Sequence, residues 1–420
     1  MAKRSSRRAK RRSKALLAVI VLLVIVIAAC ACLYFFVFKE EVDSFLHQHF
    51  GQQAETGGGT GGETTGPEGG AEIVGGDVTE IASAELSIHF IAPAVKASGD
   101  CTLIKAGDTE VLIDAGPTQG NVTAIKDYLE EYCTDGVLEY VIATHADTDH
   151  IAGLVGTSSG GKYNGILYSY EIGTIIEFDK TNKSLTTQSG NPTLYARYAA
   201  AVDYAEAQGT AVYTGLQCWN GEDGAQRTYY LDEAQTISMN ILYNKFYEES
   251  SSDENNYSVC MLLSQEIGGS QTNHYLFTGD LEEEGEEALV ENNELPQVEL
   301  YKAGHHGSKT SSTNALLEVI RPKYVAVCCC AGYNEYGAAE ENIFPTQAFI
   351  DRIAQYTDRV YVTIMLDEET DGYQPMNGNI VFYYGKSEEE EGALKLWCSN
   401  NDTILKETAW FQGNRTWNGV

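Results

Sequence analysis

Apolar positions fall along this chain in three regimes. Residues 15–38 are almost unbroken in hydrophobicity, long enough as a helix (roughly 35 Å) to cross a hydrocarbon core of about 30 Å. Residues 51–70 carry Gly, Thr and Glu in place of apolar side chains, cannot bury a core, and read as a flexible tether. From about residue 85 short apolar strands alternate with turns and helices. Residues 86–91 alternate polar and apolar, 99–104 and 111–116 make two more strands, 121–132 a helix, and 137–143 a buried strand. Residues 172–178 repeat the strand pattern, and 193–208 place Tyr195, Tyr198, Val202 and Ala205 on one helical face. Strands are also expected over 254–263, 274–280, 298–303 and 321–327, with a helix at 314–320. The strands at 360–365 and 379–384 are expected to close a second sheet, and the amphipathic tail to Val420 has no assigned partner. Strands alternating with helices define an α/β class.

Chemistry concentrates where apolar strands end. The strand at 137–143 runs into Thr144-His145-Ala146-Asp147-Thr148-Asp149-His150, a loop in which four of seven residues can bind metal. Several borderline ligands converging from rigid backbone are what a metal ion requires. The plain alternative is a polar turn in which Asp147 or Asp149 caps the next helix. A second strand delivers His305 and His306 into Gly307-Ser308-Lys309 ahead of a helix. Ser308 and Lys309 can contact a phosphate oxygen there or simply cap the helix. Two further strands end in Asp114-Ala115-Gly116 and Thr278-Gly279-Asp280. Glu282, Glu283, Glu284, Glu286 and Glu287 read as the first turn and solvated face of a helix. His89, among apolar neighbours, reads as a strand residue.

Charge sharpens the organisation. The formal net charge is −32, but residues 3–14 hold eight Lys/Arg and no acid, leaving 20 basic against 60 acidic residues and a net of −40 in the rest. A basic block before an apolar run stays cytoplasmic, so an uncleaved single-pass anchor with the domain outside the cytoplasm is favoured over a cleaved signal peptide. A domain of −40 repels polyanions unless cations or a local basic patch intervene. None of the ten cysteines has zinc-finger spacing, and the adjacent Cys328, Cys329 and Cys330 would alternate faces in a strand, as buried free thiols. No Walker loop or Gly-x-Ser-x-Gly elbow occurs, so a nucleotide cofactor or a serine hydrolase has no support.

Taken in order, Asp114, the 145–150 loop, Asp280 and His305-His306-Gly307-Ser308 resemble the motifs of the metallo-β-lactamase superfamily. Asp147 in the middle of the loop, with Asn255-Asn256-Tyr257-Ser258, resembles the hydrolase domains of the ComEC type, which serve competence DNA uptake. The resemblance covers roughly residues 85–385. It implies an αββα sandwich within a hydrolase domain at 85–420, after a cytoplasmic segment 1–14, an anchor 15–38 and a linker 39–84. It also implies two divalent ions, zinc or manganese. His145, Asp147 and one of His305 and His306 would serve one, Asp149 and His150 the other, and Asp280 would bridge. Asp114 would orient the loop, and Asp149 would carry the catalytic role in metal-assisted hydrolysis of a phosphodiester, possibly DNA. For DNA the available cations are Lys302, Lys309, Arg321 and Lys323, and the domain's charge favours a small ester instead. Two departures stand out: no histidine lies around 254–263, and Phe344-Pro345 follows Asn334-Glu335-Tyr336-Gly337 at a distance where relatives have His-Pro at once. They leave open a non-catalytic, membrane-tethered binding module on the same fold.

Overall fold

The computed structural model describes residues 78–159, 161–268, 271–384 and 394–419. The segments expected at 1–14, 15–38 and most of 39–84 lie outside these residues. Among the described residues no helix is long and apolar enough to cross a membrane.

Along the chain the strands are β1 (Leu86–Phe90), β2 (Thr102–Ala106), β3 (Thr109–Ile113), β4 (Val137–Ile142), β5 (Ser158–Ser159), β6 (Lys162–Tyr163), β7 (Glu171–Glu177) and β8 (Ala211–Thr214). The second half adds β9 (Thr228–Tyr230), β10 (Ile237–Ile241), β11 (Met261–Gly268), β12 (Gln271–Phe277), β13 (Leu300–Lys302), β14 (Tyr324–Ala331), β15 (Val360–Asp367), β16 (Gly372–Pro375), β17 (Ile380–Tyr384) and β18 (Leu394–Cys398). Apart from the β5–β6 hairpin they form two eight-stranded sheets, ordered β18-β17-β1-β2-β3-β4-β7-β8 and β16-β15-β14-β13-β12-β11-β10-β9.

Each sheet has a parallel block, β3-β4-β7-β8 in the first and β12-β13-β14-β15 in the second. A parallel pair needs a crossover, and helices supply every one here: Val122–Tyr132, Thr148–Val155 and Leu194–Gln208 on the first sheet, Glu283–Asn292, Asn314–Ile320 and Gln347–Ile353 on the second. The inner faces share one core, in which Phe90 lies 6.4 Å from Phe277 and Tyr324 5.3 Å from Phe382. Strand alternation sorts β14 cleanly: Tyr324, Ala326 and Cys328 enter the core between the sheets, while Val325, Val327 and Cys329 pack under the second sheet's helices. The eight described cysteines are all free, and seven are buried.

Several expectations need correction. The 379–384 segment pairs with β1, Leu86 opposite Tyr384, so it extends the first sheet rather than closing the second. Residues Asn255–Tyr257 form a 3-10 turn, and the strand begins only at Met261. The C-terminal tail is no stray: Ala409–Asn414 is helical and buries Trp410 and Phe411 in the second sheet's outer core. The acidic helix is not wholly solvated either. Glu286 is fully buried and accepts the Ser312 and Thr313 amides at 2.6 and 2.7 Å.

Candidate metal centre

The carboxyl ends of both parallel blocks meet along one edge, the usual place for a site in such sheets. From the first sheet, β3 leads into Asp114 and β4 into Thr144 and His145. From the second, β12 leads to Asp280 and β13 to His305 and His306. The helix Thr148–Val155 starts early enough that Asp149 and His150 both lie in its first turn, with Asp147 at the N-cap position but making no side-chain cap. This close approach of the β3 loop to the helix requires Gly116. A Cβ built there would stand 1.5 Å from the Asp149 carbonyl oxygen.

Asp149, His150, Asp280 and His306 form one cluster whose ligand atoms all lie within 4.8 Å of one another. Asp280 Oδ2 is 3.1 Å from the Nε2 atoms of both His150 and His306, and His306 Nε2 is 3.1 Å from Asp149 Oδ2. Each histidine is oriented from behind. His150 Nδ1 is 2.7 Å from Asp114 Oδ2, and His306 Nδ1 donates to the Cys328 carbonyl at 2.9 Å. Those bonds assign the ring protons to Nδ1 and turn both Nε2 atoms inward, the arrangement of metal-binding histidines. Asp114 is itself held in a left-handed conformation (φ 57°) and accepts the Thr144 amide at 2.8 Å and hydroxyl at 2.7 Å. Two imidazole nitrogens and two carboxylates, brought together from both sheets, fit one divalent cation.

The carboxylates that gather around the two rings also govern their charge in the absence of an ion. Burial disfavours an imidazolium at His150, but Asp280 and Asp114 outweigh it and hold the group well above the usual histidine range. His306 is raised in the same way, by Asp280 and Asp100 against burial. Burial likewise opposes charge on Asp280, and His306, His150 and Lys302 overcome it, so its carboxyl lies well below the ordinary range.

The remaining expected residues sit around this cluster. His145 and Asp147 lie beside it. His145 Nε2 is 3.5 Å from Asp147 Oδ2 and has no hydrogen-bond partner although fully buried. His305 points elsewhere, its Nδ1 3.2 Å from Glu282 Oε1, so of the paired histidines His306 joins the cluster and His305 does not. Ser308 is engaged with Thr310 at 3.0 Å, and Lys309 with Glu341 at 2.8 Å, so neither faces the cluster as a free phosphate contact. Phe344 is buried with its ring 5.7 Å from His305 and 5.0 Å from Tyr336. The Tyr336 hydroxyl donates to Asp149 Oδ2 at 2.8 Å.

Two contributors carried no expectation, and a third, Lys302, was expected instead as a phosphate-facing cation. Asp100 is buried and pairs with Lys302, and it lies 3.3 Å from His306 Nδ1. Lys302 is not surface charge: it is buried, 3.3 Å from Asp280 Oδ1 and 3.0 Å from the Gly279 carbonyl. A lysine inside the apolar run 300–303, directly ahead of paired histidines, was the available signal. Lys183 pairs with Asp147 from the polar loop after β7, where no pattern singled it out.

The model of the metallo-beta-lactamase superfamily matches residues 95–207. That range holds Asp100, Asp114 and the 145–150 loop, and the mixed α/β fold is metallo-β-lactamase-like. A search among curated proteins finds no match. Among solved structures, the metallo-beta-lactamase fold protein YhfI from Bacillus subtilis is 13% identical over 66% of this chain and 86% of that one, with a TM-score of 0.31. A possible metal-dependent hydrolase from Veillonella parvula is 10% identical over 56% of this chain and 84% of that one, with a TM-score of 0.30. CmlA, a diiron beta-hydroxylase from Streptomyces venezuelae, is 10% identical over 58% of this chain with a TM-score of 0.29, and this chain spans 45% of its length.

Proposed function

We propose that the chain is a metal-dependent hydrolase of phosphodiester bonds, of the ComEC-like type. The observation that carries the reading is the buried cluster of Asp149, His150, Asp280 and His306, assembled from both sheets. A divalent cation held by these four would supply Lewis-acid polarisation and a more acidic water at neutral pH. The chain's own groups then have separable tasks. Asp114 and the Cys328 carbonyl keep the Nε2 atoms of His150 and His306 aimed inward. Lys302 fixes Asp280 through Oδ1, leaving Oδ2 for the centre. Asp149, with the most exposed side chain of the four at 18%, is the carboxylate that an arriving substrate and water meet first, and Tyr336 orients it. No protein nucleophile is required.

Charge favours a small ester over long DNA. Of the four cations that a duplex would need, Lys302 is buried against Asp100 and Asp280, Lys309 pairs with Glu341, and Lys323 pairs with Glu299 at 2.6 Å. Arg321 turns back to the Glu318 carbonyl at 3.1 Å. They do not make a phosphate-facing patch. The test measures hydrolysis of bis(p-nitrophenyl) phosphate with zinc or manganese, beside duplex binding across about 50–300 mM salt, where each neutralised phosphate contributes a log-log slope of roughly −0.9. We expect metal-dependent diester hydrolysis and weak, nearly salt-independent duplex binding. Tight duplex binding with a steep slope would restore a nuclease. Metal bound without hydrolysis of any diester would favour the non-catalytic module.

A further inference from the structure

Beside the four-residue cluster lies a half-built second position. His145 is fully buried, its Nδ1 faces the hydroxyls of Thr144 at 3.1 Å and Ser258 at 3.4 Å, and its Nε2 has no hydrogen-bond partner. That orphaned nitrogen lies 3.5 Å from Asp147 Oδ2. An unpaired buried imidazole nitrogen next to a carboxylate is costly unless something binds there. The other oxygen of the same carboxylate, Oδ1, is already paired with the ammonium of Lys183.

Lys183 is not there by a loose surface encounter, because the backbone that carries it is clamped. Glu254 is buried, and its two oxygens accept the Thr181 hydroxyl and the Asn182 amide, each at 2.6 Å. The Asn182 side chain donates to the Ser251 carbonyl at 3.1 Å, and the Lys183 amide donates to the Thr181 hydroxyl at 2.9 Å. The loop is thereby fixed over Asp147, yet the Lys183 side chain remains 38% exposed. Its ammonium can swing into water without crossing any buried surface.

We propose that Lys183 and a second divalent cation are alternative occupants of Asp147, so that with Lys183 docked the centre holds a single cation. A divalent ion between His145 and Asp147 would share one carboxylate with an ammonium at close range, and like charges at that separation repel. The second position also offers few donors, since no histidine stands in the 255–260 segment. Lys183 thus supplies, from within the chain, the positive charge that a second ion would bring. The inference rests on the four-residue cluster being a metal site, and the experiment separates the two.

The full chain is saturated with manganese, freed of excess by gel filtration, and assayed for metal content and by electron paramagnetic resonance. Wild type is expected to hold one ion per chain with an isolated-ion spectrum. Lys183→Met is expected to hold two, with the spectrum of a coupled pair, and to bind the second equivalent at least tenfold more tightly than wild type. Lys183→Arg, which keeps the charge, should stay at one. One ion in both wild type and Lys183→Met overturns the proposal and leaves the cluster standing. Two in wild type, or two in Lys183→Arg, also overturn it. No ion in any form overturns the cluster's assignment, and this proposal with it.

Discussion

His305 and His306 are neighbours with the same left-handed backbone (φ 45° and 55°), yet they do different work. The turn points one ring at Glu282 and the other into the cluster. Burial would raise the Glu282 carboxyl, but hydrogen bonds from His305 and Thr310 hold it down at about 2, which marks His305 as the partner of a fixed anion. His306→Ala is therefore expected to lower metal affinity by two orders of magnitude or more, and His305→Ala by less than about tenfold, below the roughly 10–100-fold usual for a residue that supports a ligand, since its ring is held by Glu282 outside the cluster. Equal losses in a metal titration would contradict this division. Sequence could name both histidines, because paired histidines after a strand are rare, but the division depends on two backbone angles that no residue type announces. Asp100 and Lys302 were hidden for a different reason. Each is an ordinary charged residue until the fold buries it against the other.

At the scale of elements, the strands and helices around the first sheet were legible because each has one clear period: alternation in β1, an apolar run in β4, and 3–4 spacing in Leu194–Gln208. What misled was pairing. Nothing local tells β17 to join β1 across nearly 300 residues, and an acidic stretch does not reveal that Glu286 turns inward to hold the segment leading into the next helix. The β1 strand also carries a pH dependence. His89 is wholly buried between the Tyr128 and Ser87 hydroxyls, each at 2.8 Å, and burial, aided by Lys105, depresses its pKa from 6.5 to about 3. The unfolded chain takes up this proton below 6.5 and the native chain does not. Its contribution is intact above pH 6.5 and is lost on acidification toward pH 3, by up to about 1.4 kcal/mol per pH unit. Chemical denaturation between pH 6.5 and 4 should show a shallower loss of stability in His89→Gln than in wild type. Parallel slopes would mean that His89 is protonated in the native protein.

For the whole molecule, a net charge of −32 concentrated beyond a basic N-terminal block sets solubility and repels polyanions, but it leaves the fold untouched. The more consequential global feature is where the four cluster residues come from. Asp149 and His150 belong to the first sheet's half and Asp280 and His306 to the second, 130 residues apart between His150 and Asp280 and 157 between Asp149 and His306. An ion at their meeting point would be a removable rivet, added to the shared core and to clamps such as Glu254 on Thr181 and Asn182. At a hundredfold excess over its dissociation constant it would add about 2.7 kcal/mol to the folded state, roughly 4 °C in midpoint for a domain of this size. Scanning calorimetry with manganese and after chelation should differ by that amount, and an unchanged midpoint would place the ion elsewhere. The lifetime of such a protein would then follow the trace-metal supply around it: protease added after chelation is expected to cut at the seam sooner than in the metal-loaded form.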